Sequence, residues 1–275
     1  MDTLWSYWHF HHVSTKVGGF LDQYRIGALA DWEGDETEGV DMYESDPGGR
    51  DFVNPLLRSA SQIALFDRPW NSETSRDALD ASFITPNEAL YVRSHAPVPQ
   101  GLSAASHTLT FSTGSYADDT VSDIRSVSIG DLEAKYGTKQ ITSVIQCSGN
   151  RAAENIAANG PSGFSGVNYE NMQCGMVGNV RWGGISLASA LKDLYAPGQL
   201  DLSNNHWPSE GPKAKYVEFH GADGYYASVP LSRVLDPAND CLLATHMNGV
   251  PMPEDHGYPV RALLPVSGHC LACTA

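Results

Sequence analysis

The apolar positions of this chain fall into short strand-like runs and a few helical stripes. Ile141 to Gln146 is a short apolar-rich run of β-type residues that ends at Cys147. Residues 216–220 (YVEFH) and 225–229 (YYASV) read as strands around the turn Gly221-Ala222-Asp223-Gly224. Residues 241–247 run as a strand into Asn248-Gly249, a strong hairpin signal. Residues 258–266 read as a further strand. Helical spacing occurs in 185–195 (ISLASALKDLY), which puts Leu187, Leu191 and Leu194 on one face, and in 14–25, through Val17, Phe20, Leu21 and Tyr24. In the latter, Gly27 is a stop, and the pair Gly18-Gly19 weakens the helix by about 1 kcal/mol per glycine relative to alanine. Strands outnumber helices and do not alternate strictly with them, so the expected class is α+β and not a doubly wound sheet.

Between the first helical stripe and the strands lies an acidic stretch. Residues 31–51 carry nine carboxylates and a single arginine, the composition of a solvated linker. The main domain is therefore expected to begin near 52–60. No 18-residue apolar run exists, and the N-terminus lacks the basic and apolar regions of a signal peptide. Apolar residues make up 41% of the 275, enough for a sizeable core, and the net charge of −15 argues against nucleic acid and anionic membranes as partners. The five cysteines, Cys147, Cys174, Cys241, Cys270 and Cys273, are odd in number and irregular in spacing, which speaks against a disulfide framework.

Cys147 stands at a strand end in Gln146-Cys147-Ser148-Gly149-Asn150-Arg151. The residues alone leave two readings open. It is a buried, inert thiol, or a soft thiolate that binds a metal, with Arg151 lowering its pKa and Gly149 permitting close approach. Arg93, His95, His256 and Arg261 form a second candidate set, since guanidinium forks grip oxyanions in two-point contact. For each of them a surface or capping role is the alternative. Trp182, between Arg181 and Gly183-Gly184, reads as a core packer. The tail His269-Cys270-Leu271-Ala272-Cys273 holds one CxxC without a second pair, a weak zinc signal. His9, His11 and His12 form a terminal cluster that is either metal-binding or incidental. The phosphate-loop, dinucleotide, nucleophile-elbow and zincin patterns are absent.

Four segments, in order over roughly residues 67–265, resemble the sulfite oxidase family of molybdenum enzymes. PWN at 69–71 with FITPNEALYVRSHAPVP at 83–99 looks like the opening of that family's molybdopterin-binding domain, and VIQCSGNR at 144–151 its molybdenum-cysteine motif. RWGGISLASAL at 181–191 looks like its Trp-Gly lead into a helix, and MNGVPMPEDHGYPVR at 247–261 its pterin-phosphate segment. The resemblance implies the mixed-sheet α+β fold of that family's molybdopterin-binding domain, C-terminally truncated, and an oxidoreductase with a molybdenum–molybdopterin cofactor and Cys147 as metal ligand. It implies Tyr91, Val92, Arg93, Ser94 and His95 along the cofactor, Arg93 and Arg151 beside an anionic substrate, Asp223 on the pterin, and His256 and Arg261 at its phosphate. The implied reaction oxidises sulfite to sulfate by oxygen-atom transfer, with electrons passing through haem to cytochrome c, and the implied compartment is the mitochondrial intermembrane space.

Residues 12–29 (HVSTKVGGFLDQYRIGAL) resemble the C-terminal end of a cytochrome b5 domain, with His12 at the position of an axial haem ligand. The expected organisation is thus a haem-domain remnant at 1–30, an acidic linker at 31–58, an incomplete molybdopterin-binding domain at 59–268 and an atypical tail at 269–275. Haem b is expected only in an intact protein, and a homodimer only with a further C-terminal domain. A haem module that precedes the molybdenum domain favours sulfite oxidase over a nitrate-reductase-like alternative. A third reading is a truncated, non-catalytic fragment without cofactor. The chain departs from the family pattern at Ala152, where a second arginine usually follows Arg151, and at 152–180.

Overall fold

The structure is a computed structural model, and it describes residues 58–67, 69–94, 98–99, 101–113, 122–159, 171–195, 216–222 and 225–265. The helical stripe at 14–25, the acidic stretch 31–51, the cytochrome-b5-like segment and the CxxC tail lie outside the described residues. In chain order the strands are β1 (Gln62–Asp67), β2 (Trp70–Thr74), β3 (Val92–Arg93), β4 (Thr108–Thr113), β5 (Ser122–Ser128), β6 (Lys139–Gln146), β7 (Val177–Ser186), β8 (Tyr216–His220), β9 (Tyr226–Pro230), β10 (Leu242–Met247), β11 (Val250–Pro251) and β12 (Arg261–Leu263). The helices are α1 (Arg76–Ala81), α2 (Ile129–Tyr136), α3 (Ala152–Asn159), α4 (Leu187–Leu194) and α5 (Leu231–Leu235). The α+β class holds. Every strand pairing among the described residues is antiparallel, so no mixed sheet is seen there. Among the described residues no helix is long and apolar enough to cross a membrane.

The central sheet runs β11-β10-β7-β6, with β12 also paired to β10. Its inner strand β10 is buried nearly throughout because both faces are covered. Leu243 and Ile185, cross-strand partners, pack on one face with Leu132, Leu187, Leu191, Leu231 and Val234 from α2, α4 and α5. Leu242 and Ala244 point to the other face, where they join Trp182, Val180, Met247, Ile145 and Cys147. Alternation thus builds two apolar layers from one sheet, each fully buried Leu or Ile contributing roughly 1.5–3 kcal/mol. The β6 strand is half-covered: Ile145 is buried while Val144 is exposed, the period-2 pattern of a strand with one solvent face. The hairpins β4-β5 and β8-β9 extend the helical side of the core through Leu109, Phe111, Val217 and Phe219.

Local chemistry sets the element ends. The predicted helix 185–195 starts later, at Leu187: Ile185 still pairs with Leu243, and Ser186 caps the helix by accepting from the Ser189 N–H at 3.3 Å. The predicted strand 258–266 shrinks to Arg261–Leu263, since Pro259 has no N–H to give a ladder. The hairpin at Asn248-Gly249 is as predicted, with φ of 53° and 86° at its two turn residues.

One glycine governs how closely the central strands approach. A Cβ on Gly184 would lie 2.1 Å from the Leu243 carbonyl oxygen, a backbone atom that cannot yield without moving β10. Gly183 is less confined, its nearest neighbour being the His246 Cβ at 3.2 Å. Gly184→Ala is therefore expected to lower unfolding free energy by about 3 kcal/mol, the upper end of overpacking costs, and Gly183→Ala by about 1 kcal/mol. Urea denaturation of the two variants reads the difference, and equal losses would contradict this account of the β7–β10 contact.

Candidate functional site

Cys147 follows β6 in the same alternation that buries Ile145, and this turns its side chain into the Trp182 layer at 6% exposure. Backbone pairing continues past the strand end: the Cys147 N–H donates to the Met176 carbonyl at 3.0 Å. The chain then tightens, with the Asn150 N–H donating to the Cys147 carbonyl and the Ala152 N–H to that of Gly149, both at 3.0 Å. The turn brings the Gly149 N–H to 3.3 Å from the Cys147 Sγ. The sulfur is the acceptor in this contact.

Arg151 is placed differently from expectation. It adopts φ 67°, and its guanidinium is 65% exposed and bound to Glu154, with Nε 2.8 Å from Oε2. Glu154 comes first among the groups that hold its charge, and the Cys174 thiol follows. Gly149 thus supplies the polar contact to Cys147 that sequence reasoning had given to Arg151. Ala152, by contrast, is buried in the Cys147 layer.

Tyr91 and Val92 are both buried, and Tyr91 shares the apolar cluster with Cys147 and Trp182. Arg93 ends β3, where its Nη1 donates to Asn71 Oδ1 at 3.0 Å and to the Ser94 carbonyl at 2.8 Å. Asn71 Oδ1 also accepts the Ser94 N–H at 3.0 Å, so one buried amide holds the backbone and the guanidinium together. His95, Asp223 and His12 lie outside the described residues.

His256 and Arg261 come together under the sheet. The Arg261 Nη1 donates to the His256 carbonyl at 2.8 Å, and its guanidinium carbon sits 5.5 Å from the centre of the Trp182 ring. Trp182 is fully buried, as a core packer should be, and it also forms the platform under this arginine. The His256 Nε2 donates to the Asn87 carbonyl at 3.3 Å. Burial drives the His256 pKa down to about 4, the neighbouring Asp255 opposing and the Arg261 charge reinforcing the shift. His256 is therefore a neutral imidazole beside a permanent cation.

Sequence reasoning missed the residues that brace this corner. Asp255 forms a two-point ion pair with Arg58, both contacts 2.8 Å, and Arg58 lies over Trp70 at 4.4 Å. Asn248, in the hairpin turn, donates to the Thr85 carbonyl at 2.9 Å and to Asn87 Oδ1 at 2.7 Å, which ties the 85–87 segment to β10. The Asn-Gly turn was a visible signal, but its side-chain reach was not. Among the described residues, no group of three or more His, Cys, Asp or Glu gathers to hold a metal. What the described residues bring to one side of the sheet is a buried thiol, an aromatic platform, a neutral imidazole and a buried guanidinium. That set suits a large anionic group that takes one sulfur ligand from the protein.

Comparison with known proteins agrees with this chemistry. The family described as oxidoreductase molybdopterin binding domain matches residues 95–269. Sulfite oxidase of Gallus gallus is 31% identical over 261 residues, which are 92% of this chain and 50% of that protein. Mitochondrial sulfite oxidase of Homo sapiens is 32% identical over 267 residues, 96% of this chain and 44% of that protein. The chain thus spans about half the length of the curated relatives it matches. In fold it is similar to the sulfane dehydrogenase SoxCD of Paracoccus pantotrophus, with a TM-score of 0.50 at 21% identity, over 87% of this chain and 54% of that one.

The buried imidazole carries a pH signature. Its folded pKa of about 4 lies below the ordinary 6.5, so between those values the unfolded chain binds a proton that the folded chain refuses. The stability that neutral His256 permits is complete above about pH 6.5 and is lost as pH falls, by up to ~1.4 kcal/mol per unit, until about pH 4. His256→Gln removes this contribution. The difference in unfolding free energy between wild type and variant is expected to shift steadily with pH across that window, and a constant difference would show that His256 titrates normally.

Proposed function

The chain belongs to the oxidoreductase molybdopterin-binding domain family, and on that premise we propose that it oxidises sulfite to sulfate at a molybdenum–pterin group whose protein ligand is Cys147. The observation that carries this reading is the placement of Cys147: a sulfur at a strand end, buried beside Tyr91 and Trp182, with the Gly149 N–H aimed at it.

The residues fit such a group. A thiolate is the soft donor a sulfur-rich metal centre accepts. Arg261, 4% exposed and stacked by Trp182, offers a permanent charge for a phosphate, and neutral His256 stands beside it. Bound there, the group supplies two-electron oxygen-atom transfer, and the protein supplies binding, orientation and electrostatics. Cys147 would hold the metal. Tyr91 and Val92 wall the site with apolar surface, and Arg93, fixed by Asn71, faces the anion with a preset guanidinium. Arg151 gathers the anion from solvent, which its exposure suits better than a place beside the thiol. His95 and Asp223 are assigned to the cofactor by resemblance.

In an intact protein, haem and then cytochrome c would take up the electrons, and the proposed compartment is the mitochondrial intermembrane space; the name of the human relative reads mitochondrial. A net charge of −15 suits a basic protein acceptor, since opposite charge speeds encounter.

Metal and pterin quantification on purified wild type and Cys147→Ser tests the assignment. Wild type should carry both, and the variant should lose sulfite turnover by more than about a hundredfold, beyond the 10–100-fold typical of losing a supporting residue. A Cys147→Ser protein with full sulfite activity would refute the ligand role. Turnover of nitrate and not sulfite, with artificial electron carriers, would refute the substrate.

A further inference from the structure

The Cys147 turn does not hang on its own strand alone. It is hydrogen-bonded along one edge to residues 172–176: the Cys147 N–H donates to the Met176 carbonyl at 3.0 Å, the Arg151 N–H to Gln173 at 2.6 Å and the Ala153 N–H to Met172 at 2.9 Å. Asn150 returns the contact, its Oδ1 accepting the Met176 N–H at 3.0 Å. Residues 172–176 thus act as a splint whose position decides where the sulfur sits.

The other edge of this splint rests on β2. The Thr74 N–H donates to the Gly175 carbonyl at 3.0 Å. The Glu73 carboxylate accepts the backbone N–H groups of Gln173 and Gly175. The contact is tight, because a Cβ on Gly175 would lie 2.2 Å from the Thr74 carbonyl oxygen and 2.9 Å from the Glu73 Cβ. Glu73 is 2% exposed, and its Oε1 has no hydrogen-bond partner among the described residues.

A carboxylate is an expensive way to fill such a place. Its desolvation costs several kcal/mol, and the two backbone N–H contacts offset only part of that. An apolar side chain of similar size would suit a buried strand better, but it could not accept two N–H groups from the splint. We propose that Glu73 is a positioning residue for Cys147, holding residues 172–176 in the register on which the thiolate turn hangs. This rests on the reading of Cys147 as the site thiolate, and Glu73 acts through the splint without touching the sulfur.

The test is amide hydrogen exchange by mass spectrometry on the full chain, for wild type, Glu73→Gln and Glu73→Ala. The peptides compared cover 147–153, 172–176 and, as a reference in the opposite apolar layer, 231–241. Glu73→Ala should speed exchange in the first two on the order of tenfold, the equivalent of about 1.4 kcal/mol, and leave the reference unchanged. Glu73→Gln keeps one oxygen for both N–H groups and should stay within about twofold of wild type. If Glu73→Ala does not fold, Glu73→Asp replaces it, since the shorter side chain withdraws the acceptor and should loosen the same two segments. An unchanged turn, a rise in all three regions together, or a Gln variant as loose as the Ala or Asp variant would overturn the proposal. Failure of the thiolate reading would show separately, as molybdenum retained in Cys147→Ser with the exchange pattern intact.

Discussion

The pairing of β7 with both of its neighbours is the constraint on which the site depends. On one side β7 runs the full length of β6, from Lys139↔Gly184 to Gln146↔Val177, and that ladder delivers Cys147 to the level of Met176. On the other side it pairs with β10 through Gly184, where no larger residue fits. The same strand carries Trp182, whose ring packs the Cys147 layer and lies under Arg261. One strand therefore fixes the thiol, the platform and, through the platform, the buried guanidinium. A slip of one residue would turn Trp182 to the helical face and take its ring out of the Cys147 layer.

Polar groups do the fine positioning. Asn71 joins Arg93 to Ser94, Asn248 joins the hairpin turn to the 85–87 segment, and the Arg58–Asp255 pair holds the turn that bears His256. Each is a buried or half-buried contact that adds little net stability, because making it requires desolvation of the partners. What such contacts add is direction, since a hydrogen bond fails when its angle or length changes and an apolar contact does not. The apolar layers give this fold its stability, and the amides and ion pairs decide where the functional side chains point.

That division explains what could be read before the structure was known. The strand into Cys147, the Asn-Gly hairpin and the paired strands at 216–220 and 225–229 all follow from local pattern, and each is observed. Trp182 was legible as a core residue from the glycines beside it. β12 is shorter than its apolar run because Pro259 interrupts the ladder. The direction of Arg151 was not legible, because it follows from a left-handed backbone at a residue that is not glycine and from Glu154 three positions later. Glu73 carried no signal, Asn71 stood out only as part of the PWN segment, and Arg58 carried none. They act across 100, 22 and 197 positions, on Gln173, Arg93 and Asp255, and a lone buried carboxylate or amide looks in sequence like any surface residue.

The contrast between two buried cysteines shows why place counts for more than residue type. Cys241 is 6% exposed, as Cys147 is, but it lies in the helical layer beside Asp240 and Asp236. Burial first, and then those carboxylates, push its thiol up to about 11, and its sulfur faces the carbonyls of Arg233 and Asn239. A sulfur that faces carbonyl oxygens stays protonated and donates, whereas the Cys147 sulfur faces an N–H and accepts. Cys147 meets the Gly149 N–H because its turn folds back on the sulfur, and the turn folds back because residues 172–176 hold its far side. The chemistry of the site thus rests on backbone geometry two hydrogen bonds away from the sulfur, on a segment braced by a different strand.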